Sequence, residues 1–214
     1  MNKKDKISKI QAFLDEFFPN PSPPLHHKDP YTLLIAVLLS ASCTDERVNK
    51  ITPILFKLAD TPEKMEQVPV LEVEKIIHPC GLHRSKSKAI VALSKVIVEK
   101  YNGKVPEILE ELEELPGVGH KTASVVVGQA FNKAAFPVDT HIHRLAKRWN
   151  LTSGKNRNET ERDLKRLFPK SSWLKVHIQM ILYGRAFCPA KAHSIDKCPI
   201  CHFLSESSSK KEAS

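Results

Sequence analysis

The chain has 214 residues, 41% of them apolar and 27% charged, enough to bury a core as one large or two small domains and too apolar to be disordered throughout. Only 7 residues are glycine, against an average usage of about 7%, which argues against turn-rich barrels and sandwiches. The longest nearly unbroken apolar run, residues 33–39, falls far short of the roughly 20 that a membrane-spanning helix needs. Lys and Arg number 33 against 24 Asp and Glu, a net charge of +9 with ten histidines besides, so a polyanion such as nucleic acid is the first partner to consider.

In chain order, the basic start MNKKDKISKIQ carries Asp5 and leads into no apolar stretch of signal-peptide length, so a cytoplasmic location, nucleoid-associated in a bacterium, is expected. Apolar residues then recur at helical spacing, as in Ile7, Ile10, Leu14 and Phe17, and no stretch alternates as a strand would; the fold class is all-α. Helices are predicted over 5–18, 30–41, 45–58, 62–67, 70–78, 84–101, 106–114, 120–131, 140–150, 156–168 and 171–186. Thr61-Pro62 and Pro106 mark helix starts, a capping hydroxyl before proline in the first case. Residues 20–30, with proline at 21, 23, 24 and 30, form an extended connector between two lobes. The end of the chain, SESSSKKEAS at 205–214, has no apolar payload and is predicted disordered.

The sharpest local feature is LPGVGHKTA at 115–123. Pro116 stops one helix, Gly117 and Gly119 permit backbone angles closed to other residues, and His120 opens the next helix. This is a helix-hairpin-helix. Gly117, Val118, Gly119 and His120 then offer backbone N–H groups to a phosphate at the positive end of a helix dipole, a contact that holds a duplex without reading its sequence. A plain tight turn between helices has the same outline, whereas a P-loop is excluded because the spacing G-x-x-x-x-G-K-[ST] is absent.

Lys121 stands in the first turn after this hairpin, where positive charge is disfavoured, so a lowered pKa is expected there. It reads either as a phosphate-binding cation or as an amine nucleophile. Asp139, ahead of Thr140, reads on its own as a helix N-cap or first-turn carboxylate.

Taken together, LPGVGHKTASVVV at 115–127 and VDTHIHR at 138–144, with Asp139 eighteen positions beyond Lys121, resemble endonuclease III, the bifunctional DNA glycosylase/AP lyase family of base-excision repair. LLSASCTDERVNK at 38–50, GLHRSKSKAI at 81–90 and NGKVP at 102–106 extend the likeness over nearly the whole chain. It implies that double-stranded DNA with a damaged base or abasic site is the partner, that the enzyme is a monomer, and that oxidised pyrimidines are removed. Lys121 is implied as the nucleophile, Asp139 as the carboxylate that assists it, and strand cleavage 3′ to the abasic site follows by β-elimination through a Schiff base. Leu82 matches a residue that enters the base stack, and Ser42 stands where the family has a gap-filling glutamine. His141 and Arg144, like Arg84, Lys86 and Arg148, are candidates for phosphate contacts. The implied architecture is two helical lobes with a DNA-binding cleft: residues 25–135 as a six-helix lobe, and residues 1–24 with 136–204 as the second.

The family's [4Fe-4S] cluster sits on four cysteines with gaps of six, two and five residues. Here the run CPAKAHSIDKCPICHFLSES supplies Cys188, Cys198 and Cys201 only. Aligned without gaps, Ile195 and Leu204 replace the second and fourth ligands; with a three-residue insertion, Ser207 takes the last position. The ligand set is degenerate, and three outcomes stay open: a cluster, a zinc site completed by His193 or His202, or reduced thiols without metal. An adenine mismatch glycosylase of the same fold is opposed by Lys121 and the lack of a substantial extra C-terminal domain. A non-catalytic DNA-gripping module would need neither Lys121 nor Asp139.

Overall fold

The structure, a computed structural model, describes residues 2–212, with side chains through Ser207. Every regular element among the described residues is helical, and none is long and apolar enough to cross a membrane. Two compact units divide the chain, one made of Met1–Ser22 with Ala134–Ser214 and the other of Pro23–Lys133. The first boundary falls inside the proline-rich connector, where no helix forms between Phe17 and Pro30. The expected lobes, 25–135 and its complement, differ from these units by two residues at each crossing.

The Pro23–Lys133 unit is built around α2 (Pro30–Ser40), whose residues 31–39 are all buried. A helix apolar on every side must be surrounded, and α3 (Asp45–Leu58), α6 (His83–Tyr101) and α8 (His120–Phe131) pack on it. The short α4 (Pro62–Met65) and α5 (Val70–Ile77) lie against α6, and α7 (Leu109–Glu113) against α8. This makes seven helices, the number read from helical spacing in this stretch, where the family resemblance implied a six-helix lobe.

Local chemistry explains the starts. Asp29 and Thr32 form a reciprocal capping box on α2, with Pro30 at the first helical position, and Thr44 and Thr61 accept from the backbone of the third residue beyond them; such caps are worth roughly 1 kcal/mol each. Inside, Tyr31 donates to Ser94 Oγ at 2.7 Å while Ser94 donates to Ile90 O, so both buried hydroxyls are satisfied. The helix expected at Pro106 begins three residues later. Lys133 holds Glu107 through its carbonyl at 3.0 Å and its carboxylate at 3.1 Å, which takes that carbonyl out of a helical ladder.

In the other unit, α11 (Trp173–Ala186) is the buried helix, packed by α9 (Thr140–Arg148) and α1 (Lys3–Phe17), with α10 (Arg157–Leu167) against α9 and a 3-10 turn (Lys170–Ser172) leading in. Trp149 and Tyr183, both fully buried, meet edge to face at 5.5 Å. The Gln179 amide donates to Leu14 O, Phe18 O and Asp15 Oδ1, tying down the end of α1, where Leu14 O also accepts from Phe18 N at 2.9 Å.

The segment expected to be disordered is instead part of α12 (Pro199–Glu212); the last two residues lie outside the described ones. Cys198, Ile200 and Cys201 are buried at its start, and Ser205 and Ser207 hydroxyls donate back to His202 O and Phe203 O. Once tertiary packing forms the first turn, each further residue adds a hydrogen bond without a new nucleation cost, so an apolar payload is not required.

Candidate active site

In the Pro23–Lys133 unit, the hairpin between α7 and α8 divides its two glycines by task. Gly117 has φ +77°, and a Cβ there would meet Ala89 Cβ at 2.7 Å and Leu38 Cδ1 at 3.4 Å. It seats the loop against α6 and α2 in a conformation that only glycine adopts easily. Gly119 has φ −99° and a Cβ would meet nothing within 4 Å. As N-cap of α8 it supplies no side chain to cap the helix, leaving open space over a first turn whose N–H groups have no carbonyl partner within their own helix. Lys121, half-buried, rises from that turn, and Val118 is buried beneath it. His120 turns back to Glu113, Nδ1 to Oε1 2.6 Å.

A second feature of this unit is a pair of left-handed residues, Ser42 at φ 56° and Leu82 at φ 61°. Between them sits Gly81, whose absent Cβ would fall 2.7 Å from Ser42 O. Leu82 is 64% exposed, so an apolar side chain is held out to solvent on backbone that costs a non-glycine residue about 1–2 kcal/mol. Below them the Cys43 and Cys80 sulfurs lie 3.5 Å apart.

Lys86 departs from the expectation of a phosphate contact. It is 5% exposed, and its Nζ donates to Leu39 O at 2.9 Å and Ala41 O at 2.5 Å. It therefore compensates the negative end of the buried α2. Arg84 stays exposed, beside Glu74 at 3.6 Å.

In the unit containing 134–214, Asp139 is the N-cap of α9, its Oδ1 accepting from Ile142 N at 2.9 Å. The local reading as a cap is thus correct, and it fixes where the carboxylate points. Arg144 and Arg148, expected to face phosphates, spend donors inward. Arg144 Nη2 reaches Gly184 O, Cys188 O and His141 Nδ1 at 3.0–3.2 Å; burial and the nearby Arg148 guanidinium lower its pKa. Arg148 clasps the backbone of Pro189 and Ala190 and approaches Cys188 Sγ at 3.3 Å. Because arginine carries five donors in one plane, it can gather carbonyls scattered along a loop, a use that sequence spacing does not reveal.

Cys188, Cys198 and Cys201 converge, and a ring nitrogen of His193 joins them: the four ligand atoms all lie within 4.8 Å of one another. These residues can hold a metal. His202, the other candidate, instead faces Asp196 and Glu206, and Ile195 is 51% exposed, which agrees with Cys198 and Cys201 forming the central pair. Hydrogen bonding with Cys188 and Cys201 pulls the Cys198 thiol well below its ordinary range, whereas hydrogen bonding with Cys188 and Cys198 pushes Cys201 far above it. Three crowded thiols carry one negative charge more readily than three, and a cation relieves that restriction. Tyr183, which no sequence motif singles out, accepts from Ile200 N at 2.9 Å and lies 3.5 Å from Cys198 Sγ.

Residues 35–170 match the model of the HhH-GPD superfamily base excision DNA repair protein. The chain is 40% identical to the endonuclease III of Synechocystis over 94% of its own length and 92% of that relative's, and 41% identical to that of Bacillus subtilis over 94% and 93%. Among solved structures, a trapped endonuclease III–DNA covalent intermediate matches with a TM-score of 0.91 and 40% identity, covering 99% of this chain and all of that one. The hairpin that expectation placed at 115–121 and the fold around it are therefore those of a known group: the chain belongs to the endonuclease III family of the HhH-GPD base excision DNA repair superfamily, a family of DNA glycosylases with AP lyase activity.

Proposed function

We propose that this chain removes oxidised pyrimidines from double-stranded DNA and cleaves the strand 3′ to the resulting abasic site, with Lys121 as nucleophile and Asp139 as its carboxylate partner. The observation that carries the reading is the start of α8, where Gly119 leaves the approach open and Lys121 projects from the first turn. The relative trapped as a covalent intermediate with DNA supports a route through a bond between protein and nucleic acid.

Gripping comes first. The backbone N–H groups of Gly117, Gly119 and His120 take a phosphate at the helix N-terminus, that of Val118 being donated to Leu115 O at 3.0 Å, and the net positive charge of the chain makes binding salt-sensitive. A target base leaves the stack before it can be attacked. Leu82, exposed on left-handed backbone, suits a wedge that stabilises the opened duplex, and Ser42 beside it is too short to fill the vacated space as a glutamine would.

The neutral amine of Lys121 then attacks the anomeric carbon, and the bond to the base breaks with its electron pair leaving on the base. Asp139, held by the Ile142 amide, stabilises the oxocarbenium-like charge on the sugar and accepts a proton from the amine. The C1′–O4′ bond of the sugar ring then breaks, O4′ taking the proton held by Asp139, and the resulting imine acidifies the neighbouring sugar carbon; loss of that proton expels the 3′ phosphate, and water releases Lys121. His141, half-buried in the first turn of α9, belongs to the DNA-facing set.

Borohydride reduction tests this. Wild-type protein with a duplex carrying thymine glycol or an abasic site should yield a covalent adduct, and Lys121→Gln, with unchanged thermal unfolding, should yield none. An adduct surviving in that variant would remove Lys121 from the mechanism; no adduct with wild type on either duplex would refute the lyase reading.

A further inference from the structure

The geometry points to a single tetrahedral zinc ion on Cys188, His193, Cys198 and Cys201, in place of the iron–sulfur cluster that the family resemblance implies. In a tetrahedral site with zinc–sulfur bonds of about 2.3 Å, ligand sulfurs stand about 3.8 Å apart. Cys188 Sγ and Cys201 Sγ lie 4.0 Å apart, and all four ligand atoms fit within 4.8 Å. They surround a point. A cubane places each thiolate on a different iron and interposes a cube of iron and sulfide between them, so its ligands must stand much farther apart.

The surroundings agree. The His193 ring meets the Cys198 thiol, and its Nε2 is buried with no hydrogen-bond partner of ordinary geometry, a weakly satisfied imidazole that a metal bond would engage. A cavity of about 520 Å³ borders the group, yet it is lined by His193, Cys201 and Ser207 and not by Cys188 or Cys198. Three thiolates and one imidazole around a divalent ion leave one net negative charge, and the Arg148 guanidinium lies 3.3 Å from Cys188 Sγ to offset it. Mixed sulfur and nitrogen ligands with no vacant position describe a structural zinc site. Its effect would be to fasten the start of α12 to the end of α11, the thiol protons leaving to solvent on binding.

The test is metal analysis of the full chain purified without oxygen, followed by cobalt titration of the chelator-stripped protein. Expected are about one zinc per chain, no acid-labile sulfide, a colourless solution, and the visible bands of tetrahedral thiolate cobalt saturating at one equivalent. His193→Ala should weaken cobalt binding at least roughly tenfold, and Ser207→Ala should leave it unchanged. A brown protein with about four irons and four sulfides per chain overturns the proposal. So does stripped protein that binds no cobalt, or a site lost in Ser207→Ala but kept in His193→Ala. These readouts use no DNA, so they stand apart from the success or failure of the glycosylase reading.

Discussion

Gly117→Ala and Gly119→Ala make the same chemical change two residues apart in one hairpin, and the structure assigns them opposite consequences. At Gly117 the alanine must keep φ near +77°, at a cost of about 1–2 kcal/mol. Its Cβ would stand 2.7 Å from Ala89 Cβ; Ala89 belongs to α6 and has no flexible side chain to swing aside, so overpacking adds about 1–3 kcal/mol. The smaller entropy of the unfolded alanine chain returns about 0.4–1 kcal/mol. The net loss is about 3 kcal/mol, which lowers the melting temperature by roughly 6–12 °C for a chain of this size.

At Gly119 the backbone is ordinary and the space is open, so stability should stay within about 1 kcal/mol of wild type. The methyl group would instead stand over the first turn of α8 and block hydrogen bonds to a phosphate. Hydrogen bonds to charged groups are worth about 1.5–3 kcal/mol, so Kd for DNA should rise roughly 10- to 100-fold. Thermal unfolding followed by circular dichroism, and fluorescence anisotropy on a labelled duplex at fixed salt, measure the two effects. If Gly117→Ala melts with wild type, or if Gly119→Ala binds normally while unfolding the more easily of the two, the division of tasks is wrong.

Three further outcomes are expected. Leu82→Gly relieves left-handed strain and should raise stability by about 0.5–1 kcal/mol while slowing lesion removal from duplex DNA; lower stability with intact removal would make Leu82 a structural residue. Lys86→Met leaves the Leu39 and Ala41 carbonyls without their donor and should cost about 1–3 kcal/mol in denaturant unfolding, an effect absent if Lys86 were a phosphate contact. For His143, burial first and then Lys147 and Arg157 lower the pKa from its ordinary 6.5. A histidine depressed in the folded state contributes stability that is complete above the unfolded value and lost as pH falls through the folded one. Melting temperature should therefore decline as pH drops below about 6.5, with a shallower decline in His143→Gln; identical profiles would show that His143 is not the responsible group.

Much of the architecture was legible before any coordinates. Helical spacing, a cap such as Thr61 with a proline behind it, and the proline-rich connector are local signals, and local chemistry decides them. The hairpin LPGVGHKTA was equally plain, because glycine and proline constrain backbone angles by themselves.

What tertiary structure decided is where side chains found their partners. Lys86, Arg144 and Arg148 look alike in sequence, three cations on basic helices. Packing buried the first against the end of α2 and aimed the others at carbonyls and a sulfur between residues 184 and 190. Cys188, His193, Cys198 and Cys201 show the same limit. Their spacing fits neither family alignment well and leaves two histidines as candidates, whereas the loop between α11 and α12 brings one imidazole to three sulfurs and turns His202 to Asp196 and Glu206. The helical course of 205–212 was hidden for a related reason: its sequence lacks an apolar stripe, and its start is anchored by residues buried at 198–201. Residue type and spacing thus determined the elements and the hairpin, through forces acting within a few residues. Convergence across long loops, which depends on the whole packed unit, determined which cations hold the fold and which four atoms can share a metal.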